Sequence, residues 1–192
     1  MSKKAFSSIL ILGFFLLVIG FIVRVSQDRD SGEYKINENP KLVVGIVVDQ
    51  MKHQYLTKYW VHYSERGFKK LIKNGFIAKS NHYGYAQTST GPGHTTVATG
   101  TYPSVHGIIG NSWFDKKLNK SIYCVDDNNY FTVGSESDQG QKSPANMLTT
   151  TLADENRIAT NFKGKTIGVA IKDRGSILSS GHTANAAYWF EG

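Results

Sequence analysis

Apolar positions along this chain fall into long runs and short periodic patches, and each texture predicts a different element. Residues 9–23 are an unbroken apolar stretch, preceded by Lys3 and Lys4 and followed by Arg24. A second run, Leu42-Val43-Val44-Gly45-Ile46-Val47-Val48, is rich in β-branched side chains, and residues 165–171 hold a third. Continuous runs of this kind predict strands buried on both faces of a parallel sheet. Residues 76–83 predict a further strand. Between these lies 65–74, where Phe68, Leu71 and Ile72 recur at helical spacing and Gly75 stands just past the end, as expected of a crossover helix. Ser143-Pro144 has the order of an N-cap and first helical turn, and predicts a helix continuing through Met147, Leu148, Leu152 and Ile158. Residues 113–115 and 121–124 flank a polar turn and predict a hairpin, while 126–141 is a polar, acidic loop without a pattern. Strands alternating with helices place the chain in the α/β class.

One polar stretch carries the chemistry. Ala86-Gln87-Thr88-Ser89-Thr90 runs into Gly91-Pro92-Gly93-His94, and an apolar-periodic segment then ends at Gly100. Proline is tolerated in a first helical turn and glycine favours its end, so Thr90 is predicted at or just before a helix N-terminus. There the positive end of the helix dipole and unpaired N–H groups favour an oxyanion. A threonine alcohol is a poor nucleophile unless a base takes its proton or a metal holds its alkoxide, so partners are required.

Four residues are candidates for that partnership. Asp49 ends the run 41–50, and ligands of parallel sheets bind beyond the carboxyl ends of strands; it reads either as a helix cap or, together with Thr90, as a metal ligand. Asn111 offers a donor amide for a phosphoryl oxygen, though an Asn after Gly is also a common turn residue. Lys172 and Arg174 leave the strand predicted at 165–171 on the same sheet edge, and point the same way if the chain stays extended. Two such cations suit phosphate oxygens; as solvated surface charges they would mean nothing. Gly164-Lys165-Thr166 does not make a nucleotide loop, because it leads into a strand where a phosphate loop opens a helix.

Composition adds bounds. The 192 residues are 40% hydrophobic and 19% charged, enough for one globular unit behind an N-terminal segment. The formal charge of +7 comes from scattered lysines, not a basic stripe interleaved with aromatics, so nucleic-acid binding is not expected. Cys124 is the single cysteine, which excludes an intrachain disulfide and reads as a small buried strand residue. The basic start and the apolar run within 5–23 read as a secretory signal or an uncleaved signal anchor, with the rest of the chain exported. Residues 1–25 are thus assigned to the signal or anchor, 26–40 to a linker, and 41–192 to a catalytic domain.

Taken together, Val47-Val48-Asp49-Gln50-Met51, Thr90-Gly91-Pro92-Gly93-His94, Thr99-Gly100-x-x-Pro103-Ser104-x-His106-Gly107-Ile108 and Asn111 resemble the type I phosphodiesterase/nucleotide pyrophosphatase branch of the alkaline phosphatase superfamily. Ile171-Lys172-Asp173-Arg174 and Gly181-His182-Thr183-Ala184-Asn185-Ala186-Ala187-Tyr188-Trp189 look like that branch's bacterial alkaline phosphatases with a threonine nucleophile. The resemblance covers residues 41–192. It implies a three-layer α/β/α sandwich, incomplete in this chain, and a site holding two zinc ions. Thr90 would be the nucleophile that forms a phospho-enzyme and, with Asp49, a metal ligand. Asn111, Lys172 and Arg174 would bind the phosphoryl oxygens. The family's other metal ligands, an Asp-x-x-x-His, an Asp-His pair and a late His, lie beyond the matched stretch. The expectation is therefore the N-terminal part of a longer enzyme, unable alone to hold the metal pair.

The activity so implied is hydrolysis of small-molecule phosphate monoesters outside the cytoplasmic membrane, in the periplasm or at the outer face of an inner membrane. Phosphodiester or nucleotide pyrophosphate hydrolysis with the same nucleophile is the alternative, and Lys172-x-Arg174 argues for the dianionic monoester. A non-catalytic, membrane-tethered phosphate-binding protein is the reading from a different class. The sequence does not set the oligomeric state.

Overall fold

The computed structural model describes residues 40–190. The apolar run at 5–23 and nearly all of the segment assigned as linker lie outside the described residues. Among the described residues no helix is long and apolar enough to cross a membrane. The backbone divides into two units, 1–46 and 47–192, and the helices and strands of the described residues belong to the second.

In chain order these are α1 (Gln54–Lys58), a 3-10 turn (Trp60–His62), α2 (Phe68–Asn74), α3 (Thr90–Thr99), α4 (Pro103–His106), β1 (Ser112–Asp115), β2 (Lys120–Tyr123), α5 (Leu152–Ala159), β3 (Ile167–Ala170), α6 (Asp173–Ser180) and β4 (Ala186–Trp189). The expected hairpin is present: β1 pairs antiparallel with β2, Ser112 opposite Tyr123 and Asp115 opposite Lys120. Asp115 accepts the Lys117 and Leu118 N–H groups at 2.8 and 2.9 Å, which closes the turn between the strands. The helix expected over 65–74 forms from Phe68, with Lys69 and Lys73 reaching back to the Glu65 carboxylate at 3.0 and 2.8 Å.

The third apolar run becomes β3, but it is covered on one face only. Gly168 and Ala170 are half-buried while Ile167, Val169 and Ile171 are exposed. β3 pairs in parallel with β4, Ile167 opposite Ala186 and Ala170 opposite Trp189. The connection between them is α6, a helix the sequence pattern does not announce. Its residues, Asp-Arg-Gly-Ser-Ile-Leu-Ser-Ser, are poor helix formers. Packing overrides that preference: Gly175, Ser176, Ile177, Leu178 and Ser180 are all buried against β3, β4 and α3. Small residues allow the close approach. A Cβ on Gly168 would stand 2.7 Å from the Ser176 carbonyl and collide with the Ser180 hydroxyl. Gly168→Ala is therefore expected to lower stability by about 1–3 kcal/mol, read as a fall in melting temperature.

Ile177 and Leu178 join Ile108, Cys124, Val125 and Met147 in the core, with Trp113, Tyr123, Ala187 and Trp189 packed around them. Cys124 is fully buried, as its residue type suggested, and burial pushes its thiol up to about 12.

Three expected elements do not form as read. The run 41–50 has no strand partner among the described residues, and Leu42 and Ile46 are 78% and 77% exposed. An apolar run becomes a buried strand only when neighbours satisfy its backbone on both sides. The same holds for 76–83, which makes no ladder and leaves Phe76 exposed. The helix expected from Ser143 begins only at Leu152. Ser143 Oγ accepts the Ala145 N–H at 3.0 Å and Met147 N–H bonds to Pro144 at 2.8 Å, but Leu148 N–H goes to the His106 carbonyl at 3.0 Å. That bond draws the backbone away from a helical path. The polar loop before it carries no regular element and is closed by the bridge between Asp126 and Lys142, whose side chains pair at 3.0 Å.

Candidate active site

Thr90 is the first residue of α3, with Ser89 as its extended N-cap and Pro92 two residues later. The helix ends where expected, at Gly100, which takes the left-handed conformation (φ 68°) and donates to the Thr96 carbonyl at 2.9 Å. The Thr90 hydroxyl donates to Asp49 Oδ2 at 3.3 Å. Asp49 Oδ1 in turn accepts the N–H of Gln50 at 3.1 Å. Gln50 holds φ 58°, an uncommon conformation for a side-chain-bearing residue. So the carboxylate is presented to Thr90 from a strained turn rather than from the strand end expected there. Together with Met51, Tyr83, Ser89 and His94, these residues line an open cleft.

Behind the threonine, Asn111 Oδ1 accepts the N–H of Gly91 at 2.7 Å. A first-turn N–H expected to be free for an anion is thus engaged, and the bond fixes which end of the Asn111 amide is the acceptor. The Nδ2 end remains as donor. Asn111 is itself held by its carbonyl, which accepts the Cys124 N–H at 2.9 Å where β2 ends. The fit around Gly91 is close: a Cβ would lie 3.1 Å from the Gly110 carbonyl, 3.2 Å from Asn111 Oδ1 and 3.3 Å from the Cys124 sulfur.

The far side of α3 is locked by a buried polar relay. His106 is fully buried; its Nδ1 accepts the Ile108 N–H at 3.2 Å, so Nε2 carries the proton and donates to Thr96 Oγ1 at 3.1 Å. Thr96 Oγ1 also meets the Tyr85 hydroxyl at 2.9 Å. Burial pushes the His106 imidazole down, toward the neutral form this relay requires. His94, buried on α3, places Nδ1 2.9 Å from the Thr90 carbonyl and faces Gly175 of α6.

Lys172 and Arg174 are not the parallel pair an extended chain would give. The backbone turns helical at Asp173, with Lys172 as its N-cap, and successive helical residues rotate by about 100°. Lys172 is exposed, and among the described residues no hydrogen bond or ion pair joins it to Thr90, Asp49 or Asn111. Arg174 is half-buried and donates from Nη1 to the Tyr123 hydroxyl at 2.8 Å. Asp49, Thr90 and Asn111 are thus brought together directly. Arg174 joins them through Tyr123, whose neighbour Cys124 anchors Asn111, and through the packing of α6 on α3. Gln50, His94, Tyr123 and Asp173 belong to this neighbourhood without having been singled out in the sequence. The glutamine's strained backbone leaves no trace in a residue pattern, and a tyrosine at a strand end looks like any core aromatic.

As a metal site the donor set is partial. Asp49 and Thr90 offer oxygen ligands that suit zinc, which takes four ligands in a closed site. Among the described residues no group of three or more His, Cys, Asp or Glu side chains is placed to hold an ion.

Comparison with known proteins bears on the family and the fold. The family model described as type I phosphodiesterase / nucleotide pyrophosphatase matches residues 43–192. Alkaline phosphatase PhoV of Synechococcus elongatus is 52% identical over 152 residues, 79% of this chain and 28% of PhoV. Alkaline phosphatase PafA of Elizabethkingia meningoseptica is 48% identical over 153 residues, 79% of this chain and 28% of PafA. The chain thus spans a little over a quarter of the length of these relatives. The crystal structure of wild-type PafA superposes with a TM-score of 0.78 at 48% identity, covering 80% of this chain and 30% of that one. A PafA variant with a threonine, an asparagine, a lysine and an arginine substituted superposes equally well at 45% identity. The α/β fold of alkaline phosphatase, seen here over part of its extent, and the family match lead to one conclusion: this chain belongs to the type I phosphodiesterase / nucleotide pyrophosphatase family.

Proposed function

We propose that the protein is a phosphate monoesterase of the alkaline phosphatase kind, using Thr90 as nucleophile and two zinc ions as cofactors. The observation that carries this reading is the Thr90 hydroxyl at the N-terminus of α3, hydrogen-bonded to the Asp49 carboxylate at 3.3 Å. Relatives near 50% identity that are named alkaline phosphatases support it. So does the PafA variant, whose four substituted residue types occur here in the same order as Thr90, Asn111, Lys172 and Arg174.

In this reading Thr90 Oγ, its proton passed to solvent water, attacks phosphorus in line; the new O–P bond forms as the bond to the leaving oxygen breaks, and that oxygen takes a proton from water and departs as the alcohol, leaving a phosphothreonine. Water then attacks that phosphorus and returns the threonine alcohol with release of inorganic phosphate. The α3 dipole favours the negative charge on Oγ, and the Asn111 amide donates to a phosphoryl oxygen. Arg174 and Lys172 neutralise the remaining oxygens, Lys172 by swinging its exposed chain inward. Zinc, when bound to Asp49 and Thr90 and to ligands from outside the described residues, would supply Lewis-acid stabilisation of entering and leaving oxygens. The apolar run at 5–23 supports export, with action on small phosphorylated molecules outside the cytoplasmic membrane and retention at its outer face if the run stays uncleaved.

Full-length protein is the material for the test. A phosphate monoester should be hydrolysed in preference to a diester, with activity lost on chelation and restored by zinc. Lys172→Ala should lower monoester kcat/KM by about 10²-fold and diester kcat/KM far less. Preference for the diester in the unmodified protein would instead establish the phosphodiesterase reading, and binding of phosphate without turnover of either ester would establish a binding protein.

A further inference from the structure

Arg174 is held in a way its sequence neighbour cannot manage alone. Asp173 and Arg174 are the first two residues of α6, and side chains at adjacent helical positions do not face each other. Of Arg174, Asp173 Oδ1 reaches the backbone N–H, at 2.7 Å, and among the described residues no bond joins it to the guanidinium. The gap between carboxylate and guanidinium is spanned by Tyr123, at the end of β2. Its hydroxyl donates to Asp173 Oδ1 at 2.6 Å and accepts from Arg174 Nη1 at 2.8 Å. The guanidinium carbon also lies 5.9 Å from the centroid of the Tyr123 ring, within cation–π range. A second cation, Lys142, is 5.9 Å from the same centroid and is itself paired with Asp126.

We propose that Tyr123, anchored by Asp173, is the positioning residue for Arg174, fixing its guanidinium so that the edge not bound to the phenol faces a phosphoryl group. This rests on the reading of Arg174 as a phosphate ligand. Arg174 Nε is buried and has no hydrogen-bond partner among the described residues. A buried N–H of a cation without an acceptor is costly, and an anionic oxygen would satisfy it. Burial, and then the hydrogen bond to Asp173, push the Tyr123 phenol up, so it keeps the proton it donates to the carboxylate. With that proton committed, the phenol oxygen can only accept from Arg174. The direction of both bonds is therefore set.

The test is a double-mutant cycle on the full-length protein, reading kcat/KM for a phosphate monoester and inhibition by inorganic phosphate. Tyr123→Phe keeps the ring and deletes the bridge. It is expected to lower kcat/KM by about tenfold, to weaken phosphate inhibition by a similar factor, and to leave the melting temperature nearly unchanged. In an Arg174→Ala background the same change should alter kcat/KM by less than about twofold, because the group it positions is gone. Asp173→Asn, which leaves the ring in place, gives an independent arm: its loss should also vanish in the Arg174→Ala background. A merely structural role for Tyr123 would give additive losses in the cycle and would overturn the proposal, as would full activity in Tyr123→Phe. If Arg174→Ala itself leaves kcat/KM intact, the assignment of Arg174 to phosphate fails, and the positioning role falls with it.

Discussion

Replacing Thr90 by alanine is expected, on the mechanism proposed above, to lower kcat for phosphate monoesters by about 10⁴-fold or more in the full-length protein, because it removes the oxygen that attacks phosphorus. Among the described residues the hydroxyl's single hydrogen-bond partner is Asp49 at 3.3 Å, a long bond at the edge of an open cleft, so its removal leaves the fold nearly as stable as before. The loss should fall on kcat and not on phosphate affinity, since the proposed phosphate ligands Asn111, Lys172 and Arg174 are untouched. Thr90→Ser keeps the nucleophile and should retain turnover within about a hundredfold; a serine phosphate trapped by acid quench would then mark the position. Steady-state kinetics beside phosphate titration separates the outcomes. Turnover persisting in Thr90→Ala would remove the threonine from the chemistry, whatever its neighbours do.

Legibility in the sequence tracked how local the cause was. Proline near the start of α3 and glycine after it are local signals, so the helix carrying Thr90 was readable, its start to within a residue and its end at Gly100. The β1–β2 hairpin was readable for the same reason. Apart from the family resemblance, Asp49 could be associated with Thr90 through its place at a sheet edge, and the two do meet by a hydrogen bond although the strand behind Asp49 does not form. A strand is a property of its neighbours, and the run 41–50 has none among the described residues. The converse error occurred at Asp173. There a sequence of glycine and serines conceals a helix, which exists because those small residues let it sink onto β3 and β4. That hidden helix is also why Lys172 and Arg174 do not point the same way. The delayed start of α5 had a visible signal that periodicity masked: Thr151-x-x-Asp154 is a capping pair, and it marks the true N-terminus.

That pair carries the largest expected effect on stability. Asp154 is fully buried, and both of its oxygens are saturated. Oδ2 accepts the Thr151 N–H at 2.9 Å and its hydroxyl at 3.0 Å, while Oδ1 accepts the Thr183 N–H at 2.7 Å and its hydroxyl at 2.8 Å. One carboxylate therefore caps α5 and ties down the turn that leads into β4. Gly181, at φ 80°, opens that turn, and any Cβ there would run into the Asp154 carboxylate. Asp154→Ala would leave the buried Thr151 N–H and the part-buried Thr183 N–H without acceptors, and is expected to destabilise the protein by about 3 kcal/mol or more. Asp154→Asn keeps one acceptor but aims an NH₂ at donors, and should lose a large part of the same amount. The pH dependence has a definite sign. Burial alone would raise this carboxyl, but the hydrogen bonds from Thr151, Thr183 and the His182 backbone outweigh it and hold the group below its ordinary value. Between the folded value and the higher unfolded one, near about 3.9, the unfolded chain binds the extra proton, so stability rises with pH across that window. The contribution is complete above about pH 5 and drains away as pH falls through the folded value. Melting temperatures of the parent and Asp154→Asn should therefore differ by a constant amount from about pH 8 to 5 and converge in stronger acid; a gap that stays constant in stronger acid would show that the carboxylate's charge is not what holds α5 to β4.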